Sequence, residues 1–295
     1  MSEAPGTWRR WILAARTRTL PAAIVPVVVG ASSVRPLSIN WTRTLECAVV
    51  ALSLQIATNY ANDYSDGRRG TDDLRVGPFR LTASKLVKAS SVRNASFVFF
   101  SVAAIVGTIL AAQTSWWLLA VGASAILAGW FYTGGPRPYG YYGFGELFVF
   151  IYFGLVATVG TSYVQHGHIA LRSWWLGVGL GAAACLLLEA NNLRDIDGDQ
   201  AAGKRTVAAR LGRKRASWLV AGGVVLCALG SGLGVAGVKW TAALIAAAVI
   251  IGYGPVIKIA FSNRRGRELL LLLAVTAREQ LALGLLLSVG CFLIT

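Results

Sequence analysis

The stretch NYANDYSDG, residues 59–67, closes a run from Ala48 to Ala57 that is almost wholly apolar. Asn59, Asn62, Asp63 and Asp66 therefore stand where a chain would be leaving a hydrocarbon phase. An acid at the centre of a membrane helix costs roughly 2.5–3.5 kcal/mol by insertion scales. Polar groups at such a place mark a function rather than a surface.

The rest of the sequence supports the premise of a membrane. The chain has 295 residues, of which 55% are hydrophobic and only 14% charged, and its mean hydropathy is +0.59. Apolar segments of about 20 residues recur, the length a helix needs to cross a bilayer. The 33 glycines fit the same class, because small residues let membrane helices approach closely. The expected fold is an all-α integral membrane protein with about nine transmembrane helices in one domain over 1–295. The nine segments are 18–34, 44–62, 94–112, 116–133, 143–164, 173–192, 216–237, 240–259 and 272–294. The last is expected to begin as an interfacial helix from Glu268 and to enter the membrane only after Arg278 and Glu279, which interrupt it.

The net charge of +15 suggests nucleic acid at first, but its distribution points to topology. Alternate connections gather Arg68, Arg69, Arg75, Arg80, Lys85, Lys88 and Arg93, and later Arg194, Lys204, Arg205, Arg210, Arg213, Lys214 and Arg215. The opposite connections hold only Arg35, Arg43, Arg172 and Lys239. The basic side is expected in the cytoplasm, with the N-terminus on that side, in the plasma membrane. Trp41, Trp116, Trp117, Trp174, Trp175 and Trp240 fall on the poor side, as an outer aromatic belt would. Two longer polar stretches, about 63–93 and 193–215, face the cytoplasm and are expected to be functional.

The second polar stretch opens with EANNLRDIDGDQAAGKRT, residues 189–206. Asn191 and Asp195 repeat the spacing of Asn59 and Asp63, and both members are displaced by the same interval. This suggests two pseudo-repeated halves. Residues three or four apart share a helix face, so Asn59, Asp63 and Asp66 form one stripe, and Asn191, Asp195 and Asp199 another. Two facing acid stripes repel unless a cation stands between them, and hard oxygen donors select Mg²⁺. Basic residues follow each stripe, so acids then bases suit a metal and a diphosphate. Asp73 and Asp197 fit the stripes poorly and are expected in solvent or behind the residues that touch the metal. The four cysteines lie in apolar segments without CxxC spacing, as small buried hydrophobes do. His166 and His168 lie on the side away from the acids and carry no expected role. GVGLGAAA at 177–184 reads as a close-packing segment, not a phosphate loop. KRTVAARLGRKR at 204–215 reads as a lid or as a basic helix on lipid headgroups.

At these residues the chain resembles the UbiA superfamily of intramembrane prenyltransferases, which carries nine helices and two Asp-rich motifs. The first motif here is Asn62, Asp63 and Asp66, with Gly70 where a third acid is expected and Asp72 two residues later. The second is Asp195 and Asp199. RVGPFRLTAS, YTGGPRPYGYYGFGE at 132–146 and NNLRDIDGDQAAGKRTVAARLG resemble the branch that prenylates 1,4-dihydroxy-2-naphthoate in menaquinone synthesis. The resemblance implies a polyprenyl diphosphate donor and transfer with loss of CO₂ and diphosphate, giving demethylmenaquinol. It implies two Mg²⁺ ions, or Mn²⁺ in their place, held by Asp63, Asp66, Asp195 and Asp199, with Asp72 a further candidate. Arg137 and Lys204 are the candidate cations for the leaving diphosphate. Asn59, Asn62, Asn191, Asn192, Arg80 and Arg205 are candidate substrate contacts. Tyr132 and Tyr139, with Tyr60 and Tyr64, are candidate aromatic faces for an allylic cation. Other acceptors (hydroxybenzoate, homogentisate or a phosphorylated sugar) remain open on these residues, as does a divalent-cation transporter. Nucleic acid is not an expected partner.

Overall fold

The computed structural model describes residues 6–34, 38–71, 79–237 and 239–294. Asp72, Asp73, Arg75 and Arg35 lie outside them. The described residues build helices α1 (Thr7–Ala14), α2 (Pro21–Ser32), α3 (Trp41–Arg69), α4 (Ala89–Gln113) and α5 (Leu118–Phe131). They continue with α6 (Gly145–Val149), α7 (Ala157–His166), α8 (Leu171–Ala201), α9 (Val207–Gly234), α10 (Lys239–Gly252), α11 (Gly254–Ala260) and α12 (Leu270–Ile294).

Among these residues six helices are long and apolar enough to cross a membrane. They are Ala89–Gln113, Gly145–His166, Leu171–Ala201, Val207–Gly234, Trp240–Ala260 and Gly266–Leu293. Thr7–Thr19 and Pro21–Ser32, bent by 52°, make a seventh if the pair is one span. The bend falls where Pro21 opens α2, since proline cannot continue the hydrogen-bond ladder of the preceding turn. The remaining expected segments are also helical. α3 has ample length, but Gln55, Asn59, Asn62 and Asp63 dilute its apolar run, and α5 is short.

Three local differences from the sequence reading have physical causes. α3 does not stop at residue 62 but runs to Arg69, where Gly70 caps it at φ 71°, a left-handed conformation that glycine adopts without a Cβ penalty. α8 likewise runs to Ala201, so both acid motifs lie on the last turns of helices rather than in loops. The charged pair Arg278–Glu279 does not break α12. The two side chains form an ion pair at 2.6 Å and leave the backbone ladder intact.

The core is centred on α8, which packs against α9, α12 and α2 through Leu180, Leu187, Val224 and Leu283. Small residues set how closely these helices approach. A Cβ on Gly154 would lie 2.4 Å from Gly181 Cα, so the turn Phe150–Val156, a π-helix joining α6 to α7, touches α8 backbone to backbone. Such contact brings residues on both sides of that crossing into one wall. The belt tryptophans are exposed, Trp41 and Trp240 by 68% and 76%. Trp41 begins α3 and the acids end it, which separates the two by about 33 Å along the axis.

Candidate active site

The ends of α3 and α8 meet. Asp66 accepts a hydrogen bond from Lys204 Nζ at 2.9 Å, a contact between residues far apart in sequence. Lys204 follows α8 directly, beyond the turn at Gly203, and its backbone N–H donates to Asp199 O at 2.8 Å. Asp66 also accepts from the Tyr141 hydroxyl at 2.8 Å. Burial, together with the Asp66 charge, pushes the Tyr141 phenol well above its ordinary range, so it remains a donor. The Lys204 ammonium lies 4.6 Å from the centre of the Tyr141 ring.

The loop carrying Tyr141 is fastened from both sides. Arg69 donates to the carbonyls of Thr133 and Gly135, and its guanidinium faces the Tyr141 ring at 5.4 Å. The Arg205 backbone N–H donates to Tyr141 O at 2.8 Å, and Arg210 donates to Tyr142 O at 2.8 Å. Arg205 and Arg210 are themselves exposed.

Each acid has a defined setting. Asp63 accepts from the backbone N–H groups of Leu81 and Thr82 at 2.8 and 2.9 Å, which draws the segment after residue 79 onto α3. Asp195 forms a two-point ion pair with Arg194, at 2.7 and 2.6 Å, with both side chains buried. Asp199 accepts from Thr206, the residue that caps α9. The four acids are no more than 5% exposed. Asp197 is exposed, as expected for a residue off the stripe.

The candidate substrate residues divide. Asn59 and Asn191 line a cavity of about 290 Å³. They also donate to Ala15 O and Leu187 O. Asn62 lines it too and accepts from Thr133 at 2.7 Å. Asn192 donates instead to Glu146 at 2.8 Å. Arg80 is buried, Arg137 is exposed on the loop, and among the described residues Lys204 and Arg194 form ion pairs with Asp66 and Asp195. Tyr132 and Tyr139 line the cavity, but Tyr60 donates to Trp11 O and Tyr64 pairs with Arg68. His166 and His168 stack on one another at the far end of the bundle, and no disulfide joins the four cysteines.

From its polar mouth the cavity continues between α3, α5 and α7 to Val27, Cys47 and Val164, and its wall is mostly apolar. Cys47 is about 18 Å along α3 from Asn59. One side of the mouth is a run of aromatic rings. Tyr139 stacks on Phe148 at 4.0 Å between centroids, Tyr132 meets Tyr139 edge-on at 5.5 Å, and Tyr152 follows Phe148 at 6.2 Å. Among the described residues that line the cavity, Arg16 is the one that carries a charge. It is held at φ 56°, an uncommon conformation for a residue with a Cβ.

Tyr141, Arg194, Arg69 and Arg16 were not legible as site residues. Arg194 read as part of the cytoplasmic charge bias, and only its burial distinguishes it. Tyr141 lies within YTGGPRPYGYYGFGE, but nothing in that string says which tyrosine reaches an acid.

A family model described as UbiA prenyltransferase matches residues 23–273. The chain belongs to the UbiA prenyltransferase family. It is 44% identical over 286 residues to a 1,4-dihydroxy-2-naphthoate octaprenyltransferase of Mycobacterium tuberculosis, covering 95% of each chain. It is 32% identical to the Escherichia coli protein of that name, covering 74% of this chain and 75% of that one. The fold matches that of an apo UbiA homolog from Aeropyrum pernix with TM-score 0.68 at 16% identity, covering 93% of this chain and 97% of that one. It also matches a UbiA homolog from Archaeoglobus fulgidus bound to GPP and Mg²⁺, with TM-score 0.64 at 13% identity, covering 93% and 99%.

As to a metal, the donors at the meeting of α3 and α8 are carboxylate and amide oxygens, the set a hard divalent cation takes. Among the described residues no three acids converge as a ready-made cage, and Lys204 and Arg194 stand against two of the four. The residues fit such an ion by chemistry and by charge, on condition that these cations give way.

Proposed function

We propose that this UbiA-family protein transfers a polyprenyl group from a polyprenyl diphosphate to 1,4-dihydroxy-2-naphthoate, with loss of CO₂ and diphosphate, giving demethylmenaquinol. The observation that carries the reading is a cavity whose polar mouth holds Asn59 and Asn62 of the first stretch and Asn191 of the second, beside the buried acids, and which continues between apolar helix faces. A diphosphate needs the first and a long isoprenoid needs the second. The naphthoate acceptor follows from the relative that is 44% identical over nearly the whole chain.

Asp63, Asp66, Asp195 and Asp199 would hold Mg²⁺, two ions in this reading, and the metal supplies Lewis-acid neutralisation of the diphosphate. Lys204 and Arg80 lie buried at this end and add positive charge for the leaving group. Tyr132, Tyr139, Phe148 and Tyr152 present ring faces where an allylic cation would form, and the apolar wall excludes the water that would quench it. Arg16 lines the cavity and adds positive charge at its mouth. In this reading nine segments span the plasma membrane, and the N-terminus and the acid motifs face the cytoplasm. The exposed tryptophans at the other ends of α3 and α8 support that orientation.

The test is purified protein in detergent with 1,4-dihydroxy-2-naphthoate, a polyprenyl diphosphate and Mg²⁺, with mass analysis for a prenylated, decarboxylated product. The expected product disappears on adding a chelator and returns with excess Mg²⁺. Turnover indifferent to the chelator would remove the metal. Product with another aromatic acid or a sugar phosphate alone would change the acceptor.

The cavity yields a narrower prediction. Gly122 lines it, and a Cβ there meets nothing within 4 Å, so a larger residue fills space without a clash. Gly122→Leu is expected to lower kcat/KM about ten-fold for long-chain donors, in keeping with the discrimination that a filled apolar pocket supplies, and to leave short-chain donors unchanged. Equal loss for both lengths would show that the tail does not run past α5.

A further inference from the structure

The basic segment at 204–215 divides at Gly212. That residue stands at φ 71° and ψ 165° inside α9, a conformation open in practice to glycine alone, and it kinks the helix. Before the kink the segment is tied to the candidate site, through Thr206 to Asp199 and through Arg210 to Tyr142 O. After the kink it has a different neighbour. Arg213 donates to Ser262 O at 3.1 Å, and the Ser217 hydroxyl donates to Ala260 O at 2.7 Å. These bonds fasten the turn that carries Arg213, Lys214 and Arg215 to the stretch after α11, which carries Arg264, Arg265 and Arg267.

Arg213 is half-buried, and the other five cations are exposed. Arg265 and Asp197 lie within electrostatic reach of Arg213. Between Asp199 and Glu279 the chain has one acid, Glu268. Glu268 accepts from the Arg265 backbone N–H at 3.4 Å, and among the described residues none of the six cations forms an ion pair. Like charges gathered in this way repel, and an anion standing among them relieves the repulsion. An apolar surface adjoins them. Trp218, 63% exposed, meets Phe261 edge-on at 5.0 Å between centroids, and Leu219 beside it is exposed as well. Trp218 follows Arg213 by about 7.5 Å along the helix axis. The headgroup layer on one side of a bilayer is about 5–7 Å thick. Cations and then rings therefore follow the order of a phospholipid's phosphate and acyl chain.

We infer that Arg213, Lys214 and Arg215 of α9, with Arg264, Arg265 and Arg267, form a site for the headgroup of an anionic phospholipid whose acyl chain lies against Trp218 and Phe261. A guanidinium meets phosphate oxygens at two points, so arginines suit the phosphate. The excess of positive charge favours an anionic lipid over a zwitterionic one, because a zwitterionic headgroup brings its own cation. The rings favour a lipid over a free phosphate, which would leave them uncovered. Membrane orientation asks only for cations on this side of the chain. It does not ask for two separate segments fastened together beside an exposed aromatic pair. None of these residues lines the cavity, so the site is independent of the acceptor proposed above.

The experiment titrates the full chain in a neutral detergent with phosphatidylglycerol or phosphatidylcholine carrying brominated acyl chains, which quench tryptophan fluorescence on contact. The chain has ten tryptophans, and the share of quenching due to Trp218 is the share that Trp218→Phe removes. That share is expected to saturate at about 100-fold less phosphatidylglycerol than phosphatidylcholine, at about five-fold for each of three cations. Arg264→Gln with Arg265→Gln and Arg267→Gln is expected to remove the preference. A matched variant, Arg9→Gln with Lys85→Gln and Lys88→Gln, removes equal charge at other exposed positions and is expected to keep it. Should the triple variant not fold, each of its single substitutions is expected to weaken binding about five-fold. Equal quenching by both lipids, a preference that survives the substitutions, or one lost equally in the matched variant overturns the inference. Release of the lipid by inorganic phosphate at the same concentration also overturns it, because the site would then be one for a free anion.

Discussion

Asp66→Asn is expected to abolish turnover, by about 10³-fold or more, while costing about 3–5 kcal/mol of stability. The two effects have different origins. Asp66 is 2% exposed and is the one acid that the first motif shares with the second, through Lys204 at 2.9 Å. An amide of the same shape keeps the Tyr141 hydrogen bond at 2.8 Å but leaves a buried ammonium without its counter-charge. The double variant Asp66→Asn with Lys204→Met removes that stranded charge. It is expected to recover most of the melting midpoint in detergent and none of the diphosphate release. Recovery of turnover along with stability would reduce Asp66 to a packing role.

Asp195→Asn is expected to be as damaging to turnover, with a different signature. Asp195 is held at two points by Arg194, and both side chains are buried. In the metal-free protein the substitution strands Arg194, so the melting midpoint should fall and Mg²⁺ should no longer raise it. In the parent, Mg²⁺ with a diphosphate should raise the midpoint, because a ligand that binds only the folded state stabilises it by mass action. A parent protein whose midpoint ignores Mg²⁺ and diphosphate, or an Asp195→Asn variant with near-normal turnover, would remove Asp195 from the metal assignment.

The sequence alone carried the class of the protein and the position of its chemistry along the chain. Apolar runs of membrane length follow from composition, and every expected segment is helical. The repeated Asn-to-Asp spacing made both stripes legible, since one helical turn brings residues three and four apart onto one face. Cavity-lining Asn59 and Asn191 were legible for the same reason, and Asn62, Tyr132 and Tyr139 through the resemblance of their motifs. Proximity across the bundle was not legible. Lys204 against Asp66, Tyr141 rather than its neighbours against the same acid, and Asn192 against Glu146 are encounters between distant segments. They are fixed by helix crossings such as Gly154 on Gly181, which depend on shape complementarity that no local pattern encodes. Arg194 and Arg137 illustrate the limit. In sequence both are basic residues on the same side, but only the fold buries one beside an acid and leaves the other in solvent.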